Sequence, residues 1–211
     1  MTVCSDLPER IQNEVIEFYE EKKSRLNTYY RLSCKKLISD IKKDHKEALN
    51  AIREIQNLPG KSNYMIETTP YYLTLNGQYE DAINLCHELI GTLEKEDNDV
   101  VFVNLCHAKQ LMNSDLDRHE RTRLQNIMAK SQSYGARACA EILLGNSQQA
   151  GSNLAKAIKD SLKSTYHVRD WKILENSSVY SQAIKILSSE GYKIIDTSTA
   201  EKDISSTTTT H

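Results

Sequence analysis

The chain has 211 residues, a size that suits one domain or one domain with an appended helical segment. Charged residues make up 27 % and apolar residues 39 %, and the formal net charge of −2 provides no general attraction to nucleic acid or membrane. No apolar run reaches the roughly 18 residues of a membrane span. The first ten residues also lack the basic-then-apolar order of a secretory signal, so we expect a cytoplasmic protein.

Backbone breakers are scarce, with seven glycines and three prolines in the whole chain. So few breakers leave little room for a many-turned β fold or a glycine-rich cofactor loop. Leucine, alanine, glutamate, lysine and glutamine are plentiful, and these residues favour helix. The composition therefore predicts an all-α fold.

Residues 6–58 are expected to form one long amphipathic helix, or two helices joined by a small break, so that 1–60 is a segment of its own. Asp6 and Glu9 resemble a capping box at its start. Steps of three and four place one apolar or small stripe along one face: Ile11, Val15, Phe18, Leu26, Tyr30, Cys34, Leu37, Ile41, Ala48, Ile52 and Ile55. Such a stripe needs a cover, either by other helices or by a second chain. A break near Asn27 would give a hairpin, whereas a continuous helix, the favoured interpretation, would pair its overhang with another molecule.

Residues 61–195 show a different pattern, with shorter helices, turn signals and a self-match. Gly77, Tyr79 and Ala82 have the form G-x-Y-x-x-A, and Gly145 and Ala150 repeat it in weaker form 68 positions later, which is twice 34. A third echo places Ala183 33 positions after Ala150. A 34-residue period of paired helices is typical of tetratricopeptide repeats.

Through these residues and Ala157, the segment 62–195 resembles a tetratricopeptide-repeat protein. The resemblance implies a stack of antiparallel helix hairpins, with turns near 76–78, 113–115 and 145–147. Two departures stand out: Pro70 falls where the first helix of a repeat should be continuous, and the middle repeat, 100–130, has neither the glycine nor the aromatic residue. Helix hairpins of other families can carry the same short pattern.

The resemblance also implies a concave groove, lined by the first helix of each pair, that holds a peptide or a partner helix. In this register the partner-binding residues would be Tyr64, Glu67, Tyr71, Thr74 and Gln132. Tyrosine supplies apolar area and a hydrogen bond together, which suits such a groove. The alternative is that these tyrosines pack under the N-terminal helix.

No motif for catalysis, metal or cofactor emerges. The five cysteines, Cys4, Cys34, Cys86, Cys106 and Cys139, are odd in number and widely spaced, which favours reduced thiols. Two Cys-His dipeptides begin at Cys86 and Cys106, but adjacent helical residues point about 100° apart and cannot share one ion. No P-loop, dinucleotide fingerprint or H-E-x-x-H motif is present. We therefore expect no enzyme activity, no metal and no cofactor.

Charge is unevenly distributed along the chain. Residues 22–47 carry nine basic and three acidic side chains, a net +6, whereas residues 80–99 carry one basic and seven acidic ones, a net −6. The basic stripe either contacts RNA or an acidic protein, or is a solvated face that attracts the acidic segment of the same molecule. The tail, 196–211, is rich in serine and threonine and is expected to be disordered.

The sequence thus predicts an interaction module, such as an adaptor, scaffold or chaperone, that binds a protein or peptide partner. Two alternatives remain open. One is a structural homo-oligomer formed through the helix at 6–58, and the other is an RNA-associated helical-repeat protein that uses the basic stripe at 22–47.

Overall fold

A computed structural model describes residues 2–4, 9–160 and 178–195. Ten α-helices lie in this part of the chain, and neighbouring helices pack in pairs, which confirms the all-α class and the stack of helix hairpins. The helices are α1 Glu9–Lys22, α2 Thr28–Ile41, α3 His45–Gln56, α4 Thr69–Leu75, α5 Tyr79–Leu89, α6 Lys95–Leu111, α7 Arg118–Lys130, α8 Tyr134–Leu143, α9 Ser147–Asp160 and α10 Val179–Ser189.

Two three-residue strands, β1 (Thr2–Cys4) and β2 (Lys193–Ile195), pair in parallel with Thr2 opposite Lys193. The expectation of a disordered tail at 196–211 falls outside the described residues. None of the described helices combines the length and the apolar character that are needed to cross a lipid bilayer.

The expectation of one continuous helix over residues 6–58 is wrong, because the segment contains three helices. Asn27 lies at the end of the break between α1 and α2. Its side chain accepts a hydrogen bond from the amide of Tyr30 at 3.0 Å and caps α2. Asp44 does the same for α3, accepting from the amide of Glu47 at 3.0 Å. Each cap satisfies an amide that has no partner within its helix, so a new helix starts there. The break near Asn27 was the alternative interpretation, and the break before Asp44 was not predicted.

The even-numbered helices, α2 to α10, all end with the same backbone closure. The residue after the last turn has a positive φ, and the next amide donates to the carbonyl five positions before it, as in a Schellman motif. The residues with positive φ are Lys43, Gly77, Asn113, Gly145 and Gly191. The closing hydrogen bonds are Asp44 to Ser39 (2.8 Å), Gln78 to Leu73 (2.9 Å), Ser114 to Lys109 (3.0 Å), Asn146 to Glu141 (2.7 Å) and Tyr192 to Leu187 (3.0 Å).

These closures define four consecutive hairpins: α2/α3, α4/α5, α6/α7 and α8/α9. The predicted turns near 76–78, 113–115 and 145–147 are confirmed. The spacing from residue 43 to 77 is 34 positions, from 77 to 113 it is 36, and from 113 to 145 it is 32. The repeated geometry therefore begins at Thr28, in the segment assigned to the N-terminal helix, and not at residue 62.

The second helix of three hairpins carries a buried alanine as its fourth residue. Ala48 in α3, Ala82 in α5 and Ala150 in α9 all have 0 % exposure. In these hairpins a link of three residues joins the two helices. The α6/α7 hairpin differs in both respects, because its link runs over six residues, 112–117, and Arg121 stands at the fourth position of α7. A small side chain at this position allows the close approach of the two helices.

The core runs through the stack as three overlapping clusters of buried side chains. One joins α3, α4, α5 and α6, the second joins α5, α6, α7 and α8, and the third joins α8, α9 and α10. Each hairpin thus covers the apolar face of the one before it. Within the third hairpin, however, α6 makes few direct contacts with α7, which packs mainly against α8.

A buried ion pair connects the first hairpin to the second. Lys36 and Asp40 of α2 are 7 % and 5 % exposed, and the Lys36 Nζ lies 2.7 Å from Asp40 Oδ2. The hydroxyl of Tyr72 in α4 donates to Asp40 Oδ1 at 3.0 Å, and the Lys36 ammonium lies 5.3 Å from the centre of the Tyr72 ring. Buried charges are tolerated only where they are paired and hydrogen-bonded, so this network fixes α2 against α4 in one register.

A carboxylate introduced at the buried alanines tests the hairpin register. Ala82→Glu and Ala150→Glu should each lower the free energy of unfolding by about 2 kcal/mol or more, because the new side chain has neither space nor a partner. Chemical denaturation monitored by circular dichroism measures the change. Asn84→Glu and Ser152→Glu place the same side chain at exposed positions of the same helices and should be near neutral. Equal midpoints for all four variants would contradict the register.

The closure at Lys43 provides a second test, since a lysine occupies a left-handed conformation with φ of 57°. This conformation costs a residue with a Cβ about 1–2 kcal/mol. Glycine avoids that cost but loses more conformational entropy on folding, so the net gain from glycine is smaller than the full cost. Lys43→Gly should therefore raise the free energy of unfolding by about 0.5–1 kcal/mol. The matched control is Lys42→Gly, at φ of −79°, which should lower it. The opposite order of the two variants in a denaturation series would refute the closure.

Candidate functional site

A groove opens between α6 and α7 at the end away from their connecting link. The two helices are held together near the link, where Lys109 of α6 forms an ion pair with Glu120 of α7. Asp117 and Glu120 also form a capping box at the start of α7. Towards the other end lies a cavity of about 670 Å³, lined by Ile90, Gly91, Leu93, Asn98, Asp99, Arg123, Asn126, Ile127, Lys130 and Ser131.

The α5–α6 loop forms one wall of the groove, and the side chain of Asn98 holds that loop in place. The Asn98 Oδ1 accepts from the amide of Gly91 at 2.8 Å, and its Nδ2 donates to the carbonyl of Leu93. The apolar lining comes from Ile90, Leu93 and Ile127. The groove is thus walled by backbone that is already fixed, which lowers the cost of ordering on binding.

The charged lining of the groove comes mainly from α7. The Arg123 guanidinium lies over the Phe102 ring of α6, 4.1 Å from its centre, so a cation–π contact orients it. A guanidinium that stacks through its face keeps its N–H edge for a carboxylate. Lys130 is exposed, and Asp99 provides one negative charge on the α6 side. Apolar walls with a few polar groups are the usual form of a ligand site.

The five residues predicted to bind a partner do not gather in one groove. Tyr64 and Glu67 lie in turns before α4, because Pro70 fits the first turn of a helix and α4 begins only at Thr69. The Tyr64 ring packs edge-on against Tyr29 of α2, with ring centres 6.0 Å apart. For Tyr64 this agrees with the alternative interpretation, packing against the N-terminal segment. Burial raises the pKa of Tyr64, and a hydrogen bond with Ser33 opposes that shift.

The remaining predicted residues lie apart from these two. Thr74 is 1 % exposed and its hydroxyl donates to the carbonyl of Pro70 at 2.9 Å, so this structure places it in the core of α4 and not on an open surface. Tyr71 is half-buried, and its ring lies edge-on to Tyr72 with centres 5.5 Å apart. Gln132 is exposed in the α7–α8 link, next to Ser131 of the α6–α7 groove. Of the five, Gln132 is the residue adjacent in sequence to that groove.

Sequence reasoning missed the α7 residues of the groove, although a signal exists. Arg123, Asn126 and Lys130 follow each other at steps of three and four, which places them on one face of a helix. Phe102 stands at the facing helix and offers the ring for the arginine. The same helix carries the buried residues Leu124 and Ile127. Its two cations lie on a polar face, and such a face can bind an anion.

The two Cys-His dipeptides lie at the α5/α6 contact. Burial raises the pKa of both Cys86 and Cys106 to about 12, and their proximity to each other adds to the shift at Cys86. Because the thiolate is the reactive form, such thiols are poor nucleophiles at neutral pH. Of the two histidines, His87 is exposed and His107 is buried. In the described residues, no group of three or more His, Cys, Asp or Glu side chains is arranged to hold a metal ion.

Part of the basic stripe at 22–47 is neutralised by nearby carboxylates. Lys22 and Lys23 pair with Glu21 and Glu20, and Lys35 lies 3.7 Å from Glu54 and also pairs with Glu47. Among the described side chains, none of these ion pairs reaches the acidic segment at 80–99. The partners of these lysines are therefore local carboxylates and not the acidic segment.

A scan against protein-family models, a search of curated proteins and a search of solved structures each found no match to this chain.

A buried carboxyl group, Glu141 of α8, lies outside the groove. It is 1 % exposed, and its Oε1 accepts from Asn153 Nδ2 at 2.9 Å. Its Oε2 has no hydrogen-bond partner within the described part of the chain. Burial raises the pKa of Glu141, while the Asn153 hydrogen bond and the charges of Arg137 and Lys156 oppose the shift. The fold therefore favours the protonated form relative to the unfolded chain.

This shift gives a pH dependence of stability with a definite sign. The stability that comes from binding the proton is complete below the ordinary pKa of 4.5 and is lost as pH rises through the raised pKa. Between pH 4.5 and 7, the free energy of unfolding of the parent should fall relative to that of Glu141→Gln, which cannot titrate. The exposed control Glu88→Gln should follow the parent. Parallel curves for the parent and Glu141→Gln in denaturation at several pH values would contradict the shift.

Proposed function

We propose that this chain is a protein-interaction module, a tetratricopeptide-like array that holds a peptide of a partner protein in the groove between α6 and α7. The observation that carries the proposal is the groove itself: about 670 Å³ of open space with fixed loop walls, apolar patches and an arginine oriented by Phe102. The near-34-residue spacing of the hairpin closures supports the assignment to this kind of array. The module acts as an adaptor, scaffold or chaperone in the cytoplasm.

The lining indicates the chemistry of the peptide. Arg123 and Lys130 outnumber Asp99, so a carboxylate is the favoured polar group of the ligand. Ile90, Leu93 and Ile127 suit an apolar side chain close to that carboxylate. The ligand is therefore an extended segment in which an acidic residue or the chain terminus lies beside a large apolar residue. Its main-chain groups can meet Asn126 at the rim.

The RNA-binding alternative has weaker support. It needs a continuous basic surface at 22–47, but Lys22, Lys23 and Lys35 are paired with carboxylates, and Lys36 is buried in its pair with Asp40. Ionic contacts with phosphates would have to compete with these pairs. Binding without catalysis, without a metal and without a cofactor remains a prediction.

Selection of peptides on the full-length chain tests the proposal. A displayed library of random 12-residue peptides should yield sequences with an acidic residue or a free carboxyl end next to a large apolar residue. A fluorescein-labelled peptide of the selected consensus then serves as the probe in an anisotropy titration. Lys130→Glu should weaken its binding at least about tenfold, which corresponds to about 1.4 kcal/mol.

The control variant is Lys185→Glu, which makes the same charge reversal at an exposed position of α10 and should leave the affinity unchanged. Equal losses in both variants would mean that only the net charge of the protein matters. A library that yields no consensus, or a consensus peptide that binds Lys130→Glu as tightly as the parent, would overturn the proposal.

A further inference from the structure

A second groove lies between α1 and α2, at the other end of the chain. Its volume is about 340 Å³, and most of its lining is apolar: Val15, Phe18, Tyr19, Leu26, Cys34, Leu37 and Ile38, with Lys22 and Arg25 near the turn. Four of these residues belong to α1 and three to α2, so the open space lies between the two helices. An unfilled apolar space between two helices lacks the packing contacts that a closed hairpin would have.

The side chains beside this groove are exposed to an unusual degree. Phe18 is 65 % exposed, Tyr30 is 57 % and Leu37 is 38 %. On α2 the stripe Tyr30, Cys34, Leu37, Ile41 follows steps of four, three and four along one face. No described side chain of α1 is fully buried, since the buried core starts at Leu32. Among the described side chains, the stripe from Val15 to Leu37 is therefore half-buried or exposed, whereas its later part, from Ala48 to Ile55, is buried in the stack.

The two helices carry opposite charges on their exposed sides. α1 has five glutamates against one arginine and one lysine; Glu20 and Glu21 pair with lysines of their own copy, and Glu17, near the middle of the helix, is exposed. α2 has an exposed arginine, Arg31, within about a turn of its middle, and an exposed lysine, Lys42, follows its last turn. A helix with an apolar stripe and acidic flanks therefore fits against α2, and α1 of another copy has these properties.

We propose that the groove between α1 and α2 binds α1 of a second copy of this chain, so that two copies form a symmetric dimer. Each copy supplies the groove and the helix that fills the partner's groove, as an isologous interface requires. The four helices, α1 and α2 from each copy, then form a short four-helix bundle. α1 and α2 have 14 residues each, or about 21 Å of helix, so the two stripes match in length.

Burial and charge act together in this arrangement. Phe18 of each copy enters the space beside Leu37 and Cys34 of the other, which removes the most exposed aromatic side chain of the described residues from water. Glu17 of one copy faces Arg31 of the other, which sets the register. The dimer is independent of peptide binding, because it uses the first two helices and leaves the α6–α7 groove open.

Sedimentation velocity of the full chain at several concentrations between about 1 and 100 μM tests the dimer. The parent should show a monomer–dimer equilibrium. Phe18→Glu and Leu37→Glu should each raise the dissociation constant at least tenfold, while the helical circular dichroism of the monomer stays at the parent level, because neither side chain belongs to the buried core. Met112→Glu, at a similarly exposed apolar residue in the α6–α7 link, is the matched control and should not change the equilibrium.

Charge reversal separates contacts between copies from contacts within one copy. Glu17→Arg alone and Arg31→Glu alone should each dissociate the dimer, because each places like charges opposite one another twice. An equimolar mixture of the two variants should recover dimerisation, since both contacts then join opposite charges. A parent that stays monomeric at 100 μM, a dimer that survives Phe18→Glu and Leu37→Glu, or a mixture that does not recover would each overturn the proposal.

Discussion

The left-handed closure at the end of every even-numbered helix is the constraint on which the stack depends. A residue with positive φ reverses the chain within three residues in the hairpins at Lys43, Gly77 and Gly145. The second helix then returns along the first, and the buried alanine at its fourth position lets the two backbones approach closely. Because the reversal recurs every 32 to 36 residues from Lys43 to Gly145, each hairpin presents its apolar face to the next, and one core extends along the array.

The sequence allowed two of these closures to be predicted directly, because glycine is the residue that most readily takes a positive φ. The closures at Lys43 and Asn113 carry no glycine. The turn at Asn113 was still predicted, from the Asn-Ser-Asp run, whereas the turn at Lys43 was not. The break before α3 was hidden for a further reason. Ile41 and Ala48 are seven positions apart, which continues the apolar stripe of an unbroken helix across a chain reversal. Periodicity reports which residues face a core, but it does not report whether the chain turns between them.

The candidate site was harder to predict than the fold, because it arises from a departure from the repeat. The predicted residues assumed a continuous first helix through Tyr64 and Glu67, and Pro70 prevents that helix from starting before Thr69. Thr74 shares α4 with Tyr71 but turns into the core, where its hydroxyl bonds within its own helix. A shift of a few residues in the register of one helix changes which side chains face solvent. The spacing of a weak motif does not fix that register so closely.

The α6/α7 hairpin shows how such a departure creates space. Its link is three residues longer than the others, and the fourth residue of its second helix, Arg121, is exposed and donates to the carbonyl of Leu116 instead of packing between the helices as the alanines of α3, α5 and α9 do. α7 packs mainly against α8, and the Lys109–Glu120 ion pair holds it to α6 near the link. Near the middle of both helices, the Arg123 guanidinium lies over the Phe102 ring and makes a second contact between them. The groove therefore lies at the hairpin with the longest link and the fewest contacts between its own two helices, where the stack departs most from its regular spacing.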